Sequence, residues 1–296
     1  MKINKYPKKV SIIMNCFNSE RYISQAIKSV LSQRYQNWEL IIWDNLSTDR
    51  SSKIIKSFKD KRIRYFLATH HTNLHEARNL ALSKITGEFL NFLDCDDYWH
   101  NKFRLNLLVE KISENENLAC VYSKFLIKYD HILLPKRTAP KKNLYSGKIF
   151  KDLVREYNFA IGGSIFRVSK LEKFPKIFNE KYDYISDFDF AFRLSKHGQF
   201  DKIDLPLFTY RKRKNSMSDL GLEKQVHQME AWSLEMFKKN FFNSGEYALI
   251  NQHIEHLRIK SDIKSKNFFE FFKYIFFNKS KLPFYKLIFY YIFKFN

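Results

Sequence analysis

The chain has 296 residues, 45% hydrophobic and 28% charged, with only seven glycines and six prolines. This excludes a disordered or fibrous chain and allows one large domain or a domain with an appendage. A formal charge of +21 favours polyanionic partners such as nucleic acid, an acidic membrane surface or phosphorylated substrates, and three cysteines without a CxxC pair fit reduced thiols in a cytoplasmic protein.

The basic N-terminus leads into an apolar run too short for a signal peptide. No stretch approaches the roughly 20 apolar residues of a spanning helix. Val10 to Met14 reads as a buried strand, and Tyr22, Ile23, Ala26, Ile27, Val30 and Leu31 follow at helical spacing. Leu40 to Trp43 is a second strand, ending at Asp44, with Ser47 or Thr48 placed to cap the next helix. Ile63 to Leu67 is a third strand and Leu74 to Lys84 a helix. Glu88 to Leu93 is a fourth strand, followed by a helix over Asn101 to Ser113. This alternation predicts a parallel α/β sheet with helices on both faces.

Ligands of such sheets bind beyond the carboxyl ends of the strands. Asn15 and Asn18 follow the first strand, Asp44 and Asn45 the second, and Asp94 and Asp96 the fourth. Three polar groups on one edge point to a site. Asp94-Cys95-Asp96 suits a divalent cation, since Mg²⁺ and Mn²⁺ take oxygen ligands. It also suits a helix N-terminus, where acidic residues meet the dipole. After Val121 the pattern loosens. "LLPKRTAPKKN" is a basic loop, "GGSIFRV" a strand, and "YISDFDFAFRLSKHG" a helix from about Ser186. Asp187 and Asp189 near its start read as dipole partners or as catalytic acids. His70, His71 and His75 lack the cysteine or carboxylate that would complete a metal set. Beyond about Leu220 the chain reads as helical. Its basic, aromatic tail suits a membrane-surface helix, nucleic-acid stacking or core packing, and the density of rings favours the membrane.

Four stretches, taken in order, resemble the bacterial family 2 glycosyltransferases of GT-A fold. "VSIIMNCFNSERYISQAIKSVLSQRYQNWELIIWDNLSTDRS" is similar to the family's opening strand, helix, strand and Asp-containing turn. "EARNLALSKITGEFLNFLDCDDYW" resembles its Ala-Arg-Asn helix and D-x-D motif. "SDFDFAFRLSKHG" resembles its Glu-Asp helix, and "LPLFTYRKRKNSMS" its closing Tyr-Arg segment. The likeness covers Lys9 to Ser218 and favours the site over the cap.

The resemblance implies a GT-A domain over residues 1–218; the helical region over 219–296 is expected, from its basic aromatic tail, to associate with a membrane surface. It implies a nucleotide-sugar donor, most often a UDP-sugar, bound by Asn15, Phe17, Asn18, Asp44, Asn45, Arg78 and Asp94. Asp96 would ligate Mn²⁺ or Mg²⁺ at the diphosphate, and Asp187 would be the base of an inverting displacement. The implied acceptor is a glycan or lipid-linked hydroxyl in surface polysaccharide synthesis, on the cytoplasmic membrane face, with no nucleic acid involved. Three residues depart from the family pattern. Asn45 stands where a second Asp is usual, Ser186 where Glu is, and Arg213 near the place of a His in some members. A nucleotidyltransferase is the nearest rival, although "NCFNSE" lacks the glycine-rich phosphate loop such enzymes carry. A nucleic-acid-binding module is the third reading, but no recognisable motif for it is present.

Overall fold

Seven consecutive residues, β1 (Val10–Cys16), are buried without alternation, as a strand covered on both faces must be. β2 (Trp38–Asp44) is likewise buried and runs parallel to β1, with Asn15 opposite Trp43 and Cys16 opposite Asp44. β3 (Ile63–Leu67) extends the sheet beyond β2, and β4 (Phe89–Phe92) lies on the other side of β1. The connecting helices are α1 (Ile23–Leu31), α2 (Ser51–Ser57) and α3 (Leu74–Leu82). The steps β1 to β2 to β3 go one way, and the step to β4 returns past β1. Right-handed crossovers then place α1 and α2 on one face and α3 on the opposite face. The order of strand addition reverses between β1 and β4. In open α/β sheets that switch point is where ligands bind.

The computed structural model describes residues 8–130, 136–141, 143–213, 216 and 221–265. Beyond β4 come α4 (Arg104–Ser113), β5 (Leu118–Tyr129), β6 (Arg137–Ala139), α5 (Phe150–Arg155), β7 (Ser164–Arg167), α6 (Ser186–His197) and β8 (Gln199–Lys212). The sheet order is β3-β2-β1-β4-β7-β5-β6, with β8 along β5. β7 is antiparallel to both β4 and β5, so the sheet is mixed and not wholly parallel as the alternation predicted. Strand direction is set by partners, which the local pattern of "GGSIFRV" does not encode. Gly163 helps to seat β7, because a Cβ there would lie 2.9 Å from the Phe208 ring and 3.1 Å from the Ser123 carbonyl. The predicted basic loop contains β6, paired with β5 from Phe125 to Ile127.

One buried acid ties β1, β2 and β3 together. Glu39 is 3% exposed. It accepts from Ser11 Oγ at 2.6 Å, Arg64 Nη1 at 2.7 Å and the Thr86 N–H at 2.7 Å, with Lys9 Nζ at 3.2 Å. Burial alone pushes the carboxyl up, but the hydrogen bonds from Ser11, Arg64 and Thr86 prevail and hold it at about 2. A depressed acid contributes stability that is complete above its unfolded value of about 4.3 and drains as the pH falls toward the folded one. Glu39→Gln should therefore lower the urea midpoint at pH 7, and the gap from wild type should narrow near pH ~3. A gap of equal size at both pH values would refute this role for the charge.

The chain divides into two units, Met1–Ser216 and Met217–Asn296. In the second, α7 (Leu222–Lys238) and α8 (Ser244–Ser265) form a helical pair. Trp232 meets the edge of Phe242 at 5.4 Å, and Phe237 stacks on Tyr247 at 4.3 Å. No helix among the described residues is long and apolar enough to cross a membrane. The basic aromatic tail from Asn267 lies outside the described residues.

Candidate active site

The carboxyl ends of β1, β2 and β4 bring their loops together at the switch point. The loops after β1 and β2 are laced to each other. Asn18 has φ 47°, a left-handed conformation that Asn tolerates better than most residues. Its Oδ1 accepts from the Thr48 N–H at 2.8 Å, and its own N–H donates to Ser47 Oγ at 3.1 Å. Ser47 and Thr48 therefore do not cap α2, contrary to the sequence expectation. The helix starts at Ser51, whose N–H donates to Asp49 Oδ1 at 2.9 Å. Asp44 is fully buried and accepts from the Ser47 N–H and the Tyr65 hydroxyl, both at 2.8 Å.

Asn45 forms a closed pair with the Thr72 peptide. Its Nδ2 donates to the Thr72 carbonyl at 2.7 Å, and its Oδ1 accepts from the Thr72 N–H at 3.1 Å. Asn18, Asp44 and Asn45 thus stand where the sequence placed them, but their polar atoms are largely spent on holding the loops. Asn15 and Phe17 differ. Asn15 is buried and its Nδ2 has no hydrogen-bond partner among the described residues. Phe17 is 48% exposed, and its ring lies 4.5 Å from that of His71. An exposed aromatic face at this edge suits a nucleobase. His71 Nδ1 is 2.9 Å from the Asn45 carbonyl, so Nδ1 carries the proton. His75 is buried and turned to the Asp183 carbonyl at 2.9 Å. Its pKa falls to about 4 because burial disfavours the charged ring. Among the described residues no three His, Cys, Asp or Glu groups gather as a metal set.

Each carboxylate after β4 has an arginine. Arg78, buried on α3, donates Nη2 to Asp94 Oδ1 at 2.7 Å. Arg213 Nη2 reaches Asp96 Oδ2 at 2.6 Å. Asp97 is buried and accepts the Arg211 N–H at 2.8 Å. Burial first, and then the neighbouring acids, push Asp96 and Asp97 above the usual carboxylate range. Arg211 is the hub. It donates Nε to the Asp96 carbonyl at 2.7 Å, Nη1 to Asp130 at 2.8 Å and Nη2 to Gln25 at 2.6 Å. Tyr22 donates to the other Asp130 oxygen at 2.7 Å. Gln25 and Asp130 are far from Arg211 in sequence, and no local signal joins them to it.

Asp187 opens α6. Its Oδ1 accepts the Phe188 N–H at 2.9 Å. Burial raises its pKa, the Arg78 charge opposes that and Asp94 adds to it. The carboxylate is therefore within electrostatic reach of the Arg78–Asp94 pair. The Tyr157 hydroxyl, buried and without a partner, also feels its charge. Asp189 faces elsewhere: buried itself, it accepts at Oδ2 from Nε of the half-buried Arg193 at 2.8 Å. The site thus combines an aromatic ledge, a row of arginine-held carboxylates and one half-buried acid.

The family model for glycosyl transferase family 2 matches residues 11–178. A UDP-Glc:alpha-D-GlcNAc-diphosphoundecaprenol beta-1,3-glucosyltransferase from Escherichia coli is 36% identical over 48% of this chain and 55% of its own. A second E. coli protein of that description is 34% identical over 47% of this chain and again 55% of its own. The chain thus spans about half the length of these curated relatives. The Staphylococcus aureus TarS 1–349 structure in complex with UDP aligns at TM-score 0.67 and 19% identity, over 88% of this chain and 76% of that one. A Pyrobaculum calidifontis mannosyltransferase in complex with GDP-Man and Mn²⁺ aligns at TM-score 0.60 and 15% identity, over 85% and 70%. These likenesses identify the GT-A fold. With the family model matching more than half of its length, the chain belongs to the family 2 glycosyltransferases.

Proposed function

We propose that the protein moves a sugar, with inversion, from a nucleotide-sugar donor to a hydroxyl of a glycan or lipid-linked acceptor in surface polysaccharide synthesis. The observation that carries this is the switch-point edge, where Arg78 holds Asp94 at 2.7 Å and the half-buried Asp187 at the start of α6 feels the charge of both. The acceptor hydroxyl gives its proton to Asp187 as its oxygen attacks the anomeric carbon. The bond to the nucleoside diphosphate breaks on the opposite face, and arginine charge stabilises the leaving group. Phe17 offers a stacking face to the base, Asn15 a free donor, and Asp94 an acceptor for the ribose.

UDP in the TarS structure and the UDP-Glc named for the E. coli relatives support a uridine donor. The diphosphoundecaprenol in the relatives' description supports a lipid-linked acceptor at the cytoplasmic membrane face. We assign the transferase domain to residues 1–218 and the remaining helical region to membrane association. Mn²⁺ or Mg²⁺ on Asp96 meets an obstacle. Asp96 is already held by Arg213, and no group of three ligating side chains surrounds it among the described residues. The described residues alone do not supply three ligating side chains there, and no step above passes through a metal.

A panel of UDP- and GDP-sugars tests the reading, by thermal stabilisation and by release of nucleoside diphosphate. One UDP-sugar should raise Tm and be slowly hydrolysed. Pyrophosphate release from a nucleoside triphosphate and a sugar phosphate would instead establish a nucleotidyltransferase.

A further inference from the structure

We infer that Arg213 is the standing cation of the diphosphate subsite, so that a nucleoside diphosphate binds this chain without a divalent metal. The inference rests on the nucleotide-sugar reading above. At the end of β4, four carboxylates, Asp94, Asp96, Asp97 and Asp130, meet three guanidinium groups. Arg211 has each of its three side-chain nitrogens committed, to the Asp96 carbonyl, Asp130 and Gln25. Arg78 is buried and reaches Asp94. Arg213 is the third, and its situation differs. Its side chain is 37% exposed, and among the described residues it pairs with Asp96, from Nη2 to Oδ2. Its Nε is buried without an acceptor. The group lies 5.3 Å from the Tyr22 ring centroid, which limits where it can swing.

A guanidinium carries five N–H donors in a planar fork that matches two phosphate oxygens. Arg213 can therefore keep Asp96 on one nitrogen and offer the others to a diphosphate. Asp96 is in turn a poor place for an ion. A divalent cation there would sit against a fixed positive charge, and no group of three ligating side chains surrounds Asp96 among the described residues. The charge that a metal would bring to a leaving diphosphate is already covalently present. It is permanent, because arginine does not lose its proton in proteins.

The experiment is calorimetric titration of the full chain with UDP, and with GDP in parallel, in EDTA and again in Mn²⁺. Wild-type affinity should change by less than about threefold between the two conditions, well under the tenfold that 1.4 kcal/mol represents. Arg213→Ala should weaken binding in EDTA by about 10- to 100-fold, the range of a charge-assisted hydrogen bond. Arg213→His frees Asp96 and supplies an imidazole, a common metal ligand, so its binding should become Mn²⁺-dependent. Melting curves for each variant separate lost binding from lost fold, and the wild-type comparison needs no variant. Wild-type binding that appears only with Mn²⁺ overturns this inference and leaves the nucleotide reading intact. Absence of binding by either nucleotide in both conditions overturns the nucleotide reading, and this inference with it.

Discussion

Asp187→Asn should reduce transfer by about 10²- to 10⁴-fold, the usual loss when a general base is removed. Asparagine keeps the size and still accepts the Phe188 N–H, but it takes no proton at neutral pH. Donor affinity should stay close to wild type, because the proposed donor contacts lie on β1, on the loops after β1 and β4 and on Arg213, and none of them on α6. The pH profile gives a second check. Burial raises the Asp187 pKa, and a base must be ionised to act. The acidic limb of the wild-type rate should thus lie above the range of an ordinary Asp, with activity lost as the pH falls through it, and Asp187→Asn should lack that limb. Asp189→Asn is the comparison. Asp189 is 2% exposed and holds Arg193 at 2.8 Å, so its loss should cost about 1–3 kcal/mol of stability while the rate per folded molecule holds. The measurements are transfer rate with a working acceptor, donor affinity and Tm. Near-normal turnover in Asp187→Asn would sink the base assignment, and with it the case for inversion.

Much of the first half was legible because its strands are short apolar runs that end abruptly in polar residues. "VSIIMN", "LIIWDN" and "FLNFLDCDD" give both the strand and its functional end, and β3 spans the residues expected of it. What could not be read was where each polar atom goes. Asn45 reads as a donor-binding residue, yet Thr72 takes both of its hydrogen-bonding groups. Asn18 reads as a ligand, yet it pins the loop of Thr48. Both partners lie 27 to 30 residues away, where local pattern carries no information. The same limit hid the antiparallel course of β7. The acids after β4 raised the question of what positive charge they hold, and a metal was the expected answer. In the structure their cations are Arg78, Arg211 and Arg213, two of them more than 110 residues along the chain from Asp96.

Arg211→Ala should unfold the site and cost about 3–5 kcal/mol at pH 7, the toll of removing one partner from a buried ion pair. Arg211 is 5% exposed, and its side chain makes three hydrogen bonds while lying over Tyr22 at 4.8 Å and Tyr98 at 5.4 Å. The Asp97 contact comes from the backbone N–H and survives the change. Asp130 is the group that suffers. It would keep the Tyr22 hydroxyl and the exposed Arg21, 3.7 Å away. In the intact chain burial pushes Asp130 up, but the Arg211 and Tyr22 hydrogen bonds and the charges of Arg211 and Arg21 outweigh it and leave its pKa lowered. A lowered acid stabilises above its unfolded value, about 3.9, and that contribution is lost as the pH falls below it. The cost of Arg211→Ala should therefore be full at pH 7 and shrink as Asp130 takes up its proton. Arg211→Lys should not restore stability, because one ammonium cannot span the Asp96 carbonyl, Asp130 and Gln25 together. Urea unfolding at pH 7 and at about pH 3 decides. A cost below about 1 kcal/mol, the level of an exposed ion pair, or one that does not change with pH, would show that Arg211 is not the hub that holds the carboxylate row.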